Sequence, residues 1–338
     1  MNPDHCNSPR ARTRRRLLAA AGSLPVLAWT GTAQAQAKKP QFRIGYLISQ
    51  LPDYYLESFR QRLGELGYVD GKNIAIDTAN MEGRLDQAER LVLELAAGKP
   101  NVIVLVNVAS MNAAKKSGLS LPFVVHSSLD PVETGFAVSL SRPGGTFTGI
   151  ANLQRALSAK RLEAIRDLLP KTSALAILWD ANGPGPKVAA TEYEAAARRL
   201  NWRFLSLPIR DPNPDFEGAF QQAVAKRSGA IVIVSNPLMA ARRESIAGLA
   251  LRYRVPLIGE HEYWAGSQGI LFTFGANFPD IGRRMAYLVH LILQGAKPGD
   301  LPFEQPTRFD LILNAKTAKA LGIAIPRSVL VRADKVIE

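Results

Sequence analysis

At 338 residues, with 47% hydrophobic and 21% charged residues, the chain has the composition of a globular protein and enough length for two domains with separate cores. Its formal net charge of +13 includes five arginines against one aspartate in residues 1–37, which leaves +9 for the remainder. Since no basic block follows residue 40, we interpret the charge as solvated surface and expect no binding to nucleic acid.

Residues 1–37 have the pattern of an export signal. Several arginines precede an apolar stretch at 17–29, and the small residues up to Ala37 suit a signal peptidase. Residues 13–18, TRRRLL, resemble a twin-arginine signal, and an ordinary secretory signal stays open beside it. We expect cleavage near Gln36 or Lys38 and a soluble periplasmic protein, since no other segment holds 18 consecutive apolar residues.

Strand-like and helix-like segments alternate from residue 42 onward. Short apolar runs bounded by turn residues predict buried strands, and apolar residues at helical spacing, such as Leu56, Phe59 and Leu63, predict amphipathic helices. In the first half, strands are predicted at 42–48, 73–77, 101–106 and 121–125, and helices at 56–66 and 85–95. In the second half, strands are predicted at 174–179, 203–207, 230–234, 255–258 and 270–274, and helices at 187–200, 216–224 and 246–253. This alternation predicts βαβ units, parallel sheets and an α/β fold.

The two halves follow the same plan. Residues 101–107 match residues 230–236 in pattern, and residues 121–124 match residues 255–258, in the same order and at similar separations. Two similar lobes are therefore expected.

A Gly-rich segment lies between the predicted lobes. Residues 126–150 run from a polar patch into the turn RPGGT, and we place the first crossing between the lobes at residues 144–149. A strong helix at 281–292, a strand at 309–313 and a short helix at 315–321 would let the chain cross back to the first lobe and return.

The chain lacks the common sequence signatures of catalysis. It holds no Gly-x-Ser-x-Gly elbow, no Gly-x-x-x-x-Gly-Lys-Ser/Thr loop for phosphate, and no His or Cys pair at metal-ligand spacing. Cys6, the only cysteine, precedes the apolar stretch, so the exported chain would have no lipid anchor, disulfide or cysteine nucleophile. We expect binding of a small polar ligand at the loops that follow the strands, without metal, cofactor or catalysis. An exported enzyme that uses Asp130, Glu260 and His261 stays as an alternative.

Six segments, taken together and in order, carry a resemblance to a known family. They are residues 59–74 (FRQRLGELGYVDGKNI), 130–132 (DPV), 140–149 (LSRPGGTFTG), 276–280 (ANFPD), 305–310 (QPTRFD) and 316–322 (KTAKALG). In these segments the chain resembles the periplasmic substrate-binding components of a family of ABC transporters, over nearly all of residues 42–338.

The resemblance implies a fold and a function. The fold would be that of type I periplasmic binding proteins, with two Rossmann-like lobes and three crossovers. Lobe one would comprise residues 42–150 and 276–304, and lobe two residues 151–275 and 305–338. The protein would be a monomer that captures a ligand and passes it to an ABC permease in the inner membrane, and an aromatic or other amino acid is the leading class of ligand that the resemblance implies. A ligand-sensing module for a membrane receptor is a further alternative.

The candidate ligand-binding residues lie at the ends of the predicted strands in both lobes. They are Ser49, Gln50, Asn107, Ala109, Ser110, Ser127, Ser128, Asp130, Asn182, Asn236, Glu260 and His261. Asp130 is expected either to pair with the α-ammonium group of an amino acid or to cap a helix ahead of Pro131. Four aromatic residues are candidate covers for an apolar part of the ligand, with core packing as the alternative for the third: Tyr46, Tyr54, Trp179 and Tyr263.

Overall fold

The computed structural model describes residues 41–49, 53–151, 154–182, 184–210 and 212–338. The predicted export signal at residues 1–37 and the candidate Gln50 lie outside the described residues. Within the described residues, no helix is long and apolar enough to cross a membrane.

The first sheet is built from the N-terminal part of the chain. Its strands are β1 (Phe42–Ile48), β2 (Ile74–Asn80), β3 (Val102–Leu105), β4 (Phe123–Ser127) and β5 (Phe147–Ala151). The helices between them are α1 (Leu56–Glu65), α2 (Ala88–Ala97) and α3 (Val108–Lys116). All strands are parallel, in the order β2-β1-β3-β4-β5. Both β3 and β4 are buried along their whole length, which explains the continuous apolar runs of β3 and of the first three residues of β4.

The second sheet repeats this plan and is wider. Its strands are β6 (Ala174–Asp180), β7 (Arg203–Ile209), β8 (Ala230–Ile233), β9 (Leu257–Gly259), β10 (Ile270–Ala276), β11 (Phe309–Asn314) and β12 (Lys335–Ile337). The order is β12-β11-β10-β9-β8-β6-β7, and only the pairing of β10 with β11 is antiparallel. The helices that accompany these strands are α4 (Gln154–Leu168), α5 (Pro184–Arg199), α6 (Phe216–Ala225), α7 (Pro237–Ala241), α8 (Arg243–Tyr253), α10 (Ala315–Leu321) and α11 (Arg327–Arg332).

One long helix, α9 (Phe278–Leu293), follows a strand of the second sheet but packs on the first. The side chain of Asn277 caps it by accepting a hydrogen bond from the N–H of Asp280 at 2.7 Å. Its buried stripe includes Ile281, Met285 and Leu288, which join the core beside β1 and β3. Burial of each such side chain contributes about 1.5–3 kcal/mol, so this stripe decides to which sheet the helix binds.

The connections between the sheets run close together. The N–H of Ala151 donates to the carbonyl of Glu304 at 2.8 Å, beside the passage into α4. The N–H of Asn277 donates to the carbonyl of Arg308 at 3.0 Å, which joins the passage into α9 to the return toward β11. The chain therefore passes between the sheets three times, at neighbouring positions.

Two predictions about loops were wrong. Asn107, Ala109 and Ser110 were placed at a strand end, in one of the loops expected to bind ligand, but Asn107 caps α3 and the other two lie in that helix. The small residues of α3 give no clear amphipathic pattern. Residues 144–149 were expected to form the first crossing, but β5 begins at Phe147 and belongs to the first sheet. Gly149 has φ +153°, and a Cβ at this position would lie 1.9 Å from the carbonyl oxygen of Val125, so this glycine permits a close approach of two strands.

Candidate functional site

A cavity of about 170 Å³ lies between the carboxyl ends of the strands of the two sheets. Its first wall, on the side of the first sheet, consists of Ser49, Asp53, Tyr54, Tyr55 and Val106. Its second wall, on the side of the second sheet, consists of Ser235, Asn236, Pro237, His261 and Tyr263. Phe278, the first residue of α9, completes the lining. These residues follow β1, β3, β8, β9 and β10, which is where parallel sheets place ligand sites.

Aromatic rings from both walls face one another across the cavity. Tyr54 stacks on Tyr263 with ring centroids 5.3 Å apart and an interplanar angle of 19°. The ring centroid of Phe278 lies 4.7 Å from that of Tyr55 and 4.6 Å from that of His261. Such faces favour offset stacking with a further planar ring, and they provide a large apolar surface in a small volume.

Asp53 supplies the carboxylate of the first wall. Its Oδ1 accepts hydrogen bonds from the N–H groups of Tyr55 at 2.9 Å and Leu56 at 2.8 Å, and from the hydroxyl of Tyr46 at 3.2 Å. Burial raises the pKa of Asp53, against the effect of these three donors. No hydrogen bond from any described residue reaches Oδ2, so this oxygen is available to a cationic group in the cavity.

Two buried histidines adjoin the cavity from opposite sheets. Burial lowers the pKa of His126 to about 4 and holds the pKa of His261 well below its usual range, so both rings are neutral at pH 7. Nδ1 of His126 lies 3.1 Å from the hydroxyl of Tyr55. Among the described residues, no group of three or more His, Cys, Asp or Glu side chains could hold a metal ion.

A buried ion pair lies behind the second wall. Arg161 on α4 is fully buried and Glu260 is 2% exposed, and their side chains meet at 3.1 Å. Oε1 of Glu260 also accepts a hydrogen bond from the hydroxyl of Tyr193 at 2.8 Å, and Oε2 accepts one from the N–H of Ser235 at 2.7 Å. Both carboxylate oxygens of Glu260 are therefore occupied by protein donors.

Three of the candidate ligand-binding residues line the cavity: Ser49, Asn236 and His261. Among the candidate covers, Tyr54 and Tyr263 also line it. Tyr46 lies in the core of the first sheet and reaches the cavity only through its bond to Asp53. Trp179 packs beside the core of the second sheet and donates to the hydroxyl of Ser206, as in the core alternative.

The remaining candidates of the first half have structural contacts instead. Asn107 caps α3 by accepting from the N–H of Ser110 at 2.8 Å, and the fully buried hydroxyl of Ser110 donates to the carbonyl of Asn107. Ala109 lies in the first turn of α3. Ser127 is 1% exposed and donates to the carbonyl of Leu129, whereas Ser128 is exposed. None of these residues is among those that line the cavity.

Asp130 and Asn182 also lie outside the cavity lining. Oδ1 of Asp130 accepts from the N–H of Val132 at 2.7 Å and of Glu133 at 3.4 Å, which is the capping alternative, here at the start of a turn. Asn182 donates through its backbone and its side chain to Asp180. Glu260 lies behind the second wall, where both of its carboxylate oxygens accept hydrogen bonds from the protein.

Several lining residues were not predicted from the sequence, among them Asp53, Tyr55, Ser235 and Phe278. A signal was present for Asp53, because an aspartate ahead of an amphipathic helix is a common cap, and caps at strand ends point toward a ligand site. Phe278 had no such signal, since its place in the cavity depends on the second passage between the sheets.

Comparison with known proteins agrees with this architecture. A family model described as ABC transporter substrate binding protein matches residues 53–337. The tyrosine-binding protein of Clostridioides difficile (strain R20291) is 26% identical over 294 residues, which cover 84% of this chain and 82% of that protein.

Two solved structures share the fold. The ABC domain from Streptococcus pneumonia in complex with L-Trp has a TM-score of 0.79 at 22% identity, over 88% of this chain and 100% of that one. The ligand-free, open structure of a substrate binding protein with adhesive properties from Clostridium difficile has a TM-score of 0.69 at 22% identity, over 88% and 99%. The predicted α/β architecture of two Rossmann-like lobes with parallel sheets, of the type I periplasmic-binding-protein kind, is confirmed.

Proposed function

The chain belongs to the family of ABC transporter substrate-binding proteins, and on that premise we propose that it captures a free aromatic amino acid in the cavity between its sheets. It works from the periplasm as a monomer and delivers the ligand to an ABC permease in the inner membrane. Residues 1–37 serve as the export signal and are removed. Residues 42–150 with 276–304 and residues 151–275 with 305–338 act as the two lobes, which close on the ligand.

One observation carries the choice of ligand. The cavity combines aromatic faces, at Tyr54, Tyr263 and Phe278, with one oxygen of the half-buried Asp53 carboxylate that accepts no hydrogen bond from a described residue. A carboxylate that a bound ligand shields from water requires a compensating cation, and an α-ammonium group supplies one while donating hydrogen bonds. The aromatic side chain of the same ligand can pack against the faces of these rings that line the cavity. The tyrosine-binding relative and the structure with L-Trp support this class of ligand.

A binding role fits the contacts better than the enzyme alternative does. Of the three residues that the enzyme would use, Asp130 caps a turn and Glu260 is held by Arg161, Tyr193 and Ser235. His261 remains at the cavity, without either carboxylate free to act beside it. We therefore propose no catalytic step.

Isothermal titration calorimetry on the protein without residues 1–37 tests the proposal. The titrants are tyrosine, tryptophan, phenylalanine and leucine. Two analogues of tyrosine complete the panel: tyramine, which lacks the carboxylate, and 3-(4-hydroxyphenyl)propionate, which lacks the ammonium group. We expect at least one aromatic amino acid to bind, leucine to bind more weakly, and the analogue without an ammonium group to lose most of its affinity. A ligand at 100 times its Kd also stabilises the fold by about 2.7 kcal/mol, which a thermal shift detects.

The variant Asp53→Asn keeps the oxygen that caps α1 and removes the charge. We expect the Kd for the best amino acid to rise about 10- to 100-fold, because a hydrogen bond to a charged group contributes about 1.5–3 kcal/mol. Asp130→Asn is the matched control, since it also retains a capping oxygen but lies outside the cavity. Equal effects of the two variants, or no binding by any amino acid in the panel, would refute the proposal.

A further inference from the structure

Arg161 connects separate segments that carry the cavity lining. Its Nε donates to the carbonyl of Phe274 at 2.6 Å, in β10 just ahead of the passage to Phe278. One terminal nitrogen donates to Oε1 of Glu260, and the other lies 3.3 Å from the backbone oxygen of Glu260. One guanidinium group thus holds the end of β10 and both the backbone and the side chain of the residue before His261.

Glu260 extends this connection to the loop after β8. Its Oε2 accepts a hydrogen bond from the N–H of Ser235, the first lining residue of that loop. The hydroxyl of Ser235 in turn accepts from the indole N–H of Trp264 at 3.0 Å, and Trp264 is fully buried. Ser235, His261 and the segment leading to Phe278 therefore all depend on the same buried pair of charges.

A buried ion pair is a weak source of stability, because the loss of hydration of both charges offsets their attraction. A well-packed apolar pair can stabilise such a position equally well. What an apolar pair cannot do is direct hydrogen bonds to a chosen N–H and a chosen carbonyl. The guanidinium fork and the carboxylate of this pair do both, since they reach Phe274, Tyr193 and Ser235 at once.

We propose that Arg161, through Glu260, is a positioning residue of the ligand site, whose role is to hold the second wall in the geometry that binds ligand. This inference rests on the proposed function. Neither side chain lines the cavity. The consequence is that stability and affinity are separable: an apolar replacement of the pair restores the fold but leaves the N–H of Ser235 and the backbone oxygen before His261 without their directed hydrogen bonds.

The experiment compares Arg161→Met, Glu260→Leu and the double variant with the parent protein, by thermal unfolding and by calorimetry with the best amino acid of the panel. We expect each single variant to lower the Tm, and the double variant to recover most of that loss while its Kd stays about tenfold or more above the parent value. The matched control is Arg283→Met with Glu65→Leu, an exposed Arg–Glu pair between α9 and α1. It should leave the Kd within about twofold.

A second readout needs no ligand. Trp179, Trp202 and Trp264 are the tryptophans of residues 38–338, so in a Trp179→Phe, Trp202→Phe background the emission comes from Trp264 alone. If the pair positions Ser235, the double variant shifts this emission to shorter wavelength, because the buried indole N–H of Trp264 loses the hydrogen-bond acceptor that stabilises its excited state. If no amino acid binds the parent protein, the proposed function fails, and the emission alone decides on positioning.

The outcomes are distinct. A double variant with a Kd within about twofold of the parent, or with unshifted emission, overturns the inference and makes the pair merely structural. If the double variant does not fold, Tyr193→Phe decides, since it removes one hydroxyl from Glu260 and keeps the packing. A Kd raised about threefold or more, at a Tm within about 2 °C, supports the inference, and an unchanged Kd overturns it.

Discussion

The two walls of the cavity come from equivalent edges of two similar sheets, yet their side chains are held in different ways. The carboxylate of the first wall, Asp53, faces the cavity and is held only by neutral donors, namely two backbone N–H groups and the hydroxyl of Tyr46. The carboxylate of the second wall, Glu260, lies behind the lining and is paired with the buried guanidinium of Arg161.

This difference separates two uses of a buried carboxylate. At Asp53, one oxygen accepts hydrogen bonds from the N–H groups at the start of α1, while the other accepts none and can bind a cationic group of the ligand. At Glu260 both oxygens accept hydrogen bonds within the protein, so the charge serves to orient backbone rather than to bind ligand. A carboxylate at a strand end is therefore a ligand contact only if its own fold leaves it incompletely paired.

The largest effect on this comparison should come from breaking the pair of the second wall. Glu260→Leu leaves the buried Arg161 without its counterion, and we expect the free energy of unfolding to fall by about 3–5 kcal/mol. Asp53→Asn should lower it by about 1 kcal/mol or less, since the amide oxygen can still accept from Tyr55 and Leu56. Urea denaturation measures both. Similar losses for the two variants would show that the walls are held alike.

Acid should reveal the buried histidine beside the first wall. Because the pKa of His126 is about 4 in the folded protein and near 6.5 when unfolded, the unfolded chain binds more protons below pH 6.5. The contribution of the neutral His126 ring to the free energy of unfolding is complete above pH 6.5. It decreases as the pH falls, and at pH 4 it is lower by about 3 kcal/mol. His126→Gln does not titrate, so the difference in unfolding free energy between parent and variant should change by that amount between pH 7 and 4. A constant difference would contradict the assignment.

The smallest effect on ligand affinity is expected at Asp130, the acidic candidate in the first half of the chain. Its oxygen caps a turn outside the cavity, so Asp130→Ala should reduce the unfolding free energy by about 1 kcal/mol and leave the Kd for an amino acid unchanged. Urea denaturation and calorimetry on the same variant give the two values. A large loss of affinity would show that Asp130, and not Asp53, supplies the carboxylate that contacts the ligand.

Much of the fold was predictable from the residues alone. The apolar runs gave nearly all strands, and the helical stripe at 281–292 gave α9, because burial periodicity is a local property of the chain. Helices without a clear apolar stripe were missed: α3, whose residues are mostly small or polar, and the longer α4. Gly149 was placed in the first crossing between the lobes, although it lies in β5 and permits the close approach of β5 to β4.

The site was only partly predictable, and the reason is the same for each residue. Ser49, Asn236 and His261 line the cavity because each lies within three residues of the end of a strand, a position that the sequence determined by itself. The sequence could not rank Asp53, Asp130 and Glu260, which are all acids near strand ends. Tertiary structure decided among them, since the passages between the sheets bring α9 and α4 to the cavity. Those contacts leave Asp53 open to a ligand and give Glu260 its Arg161, and a local pattern carries no record of partners so distant in the chain.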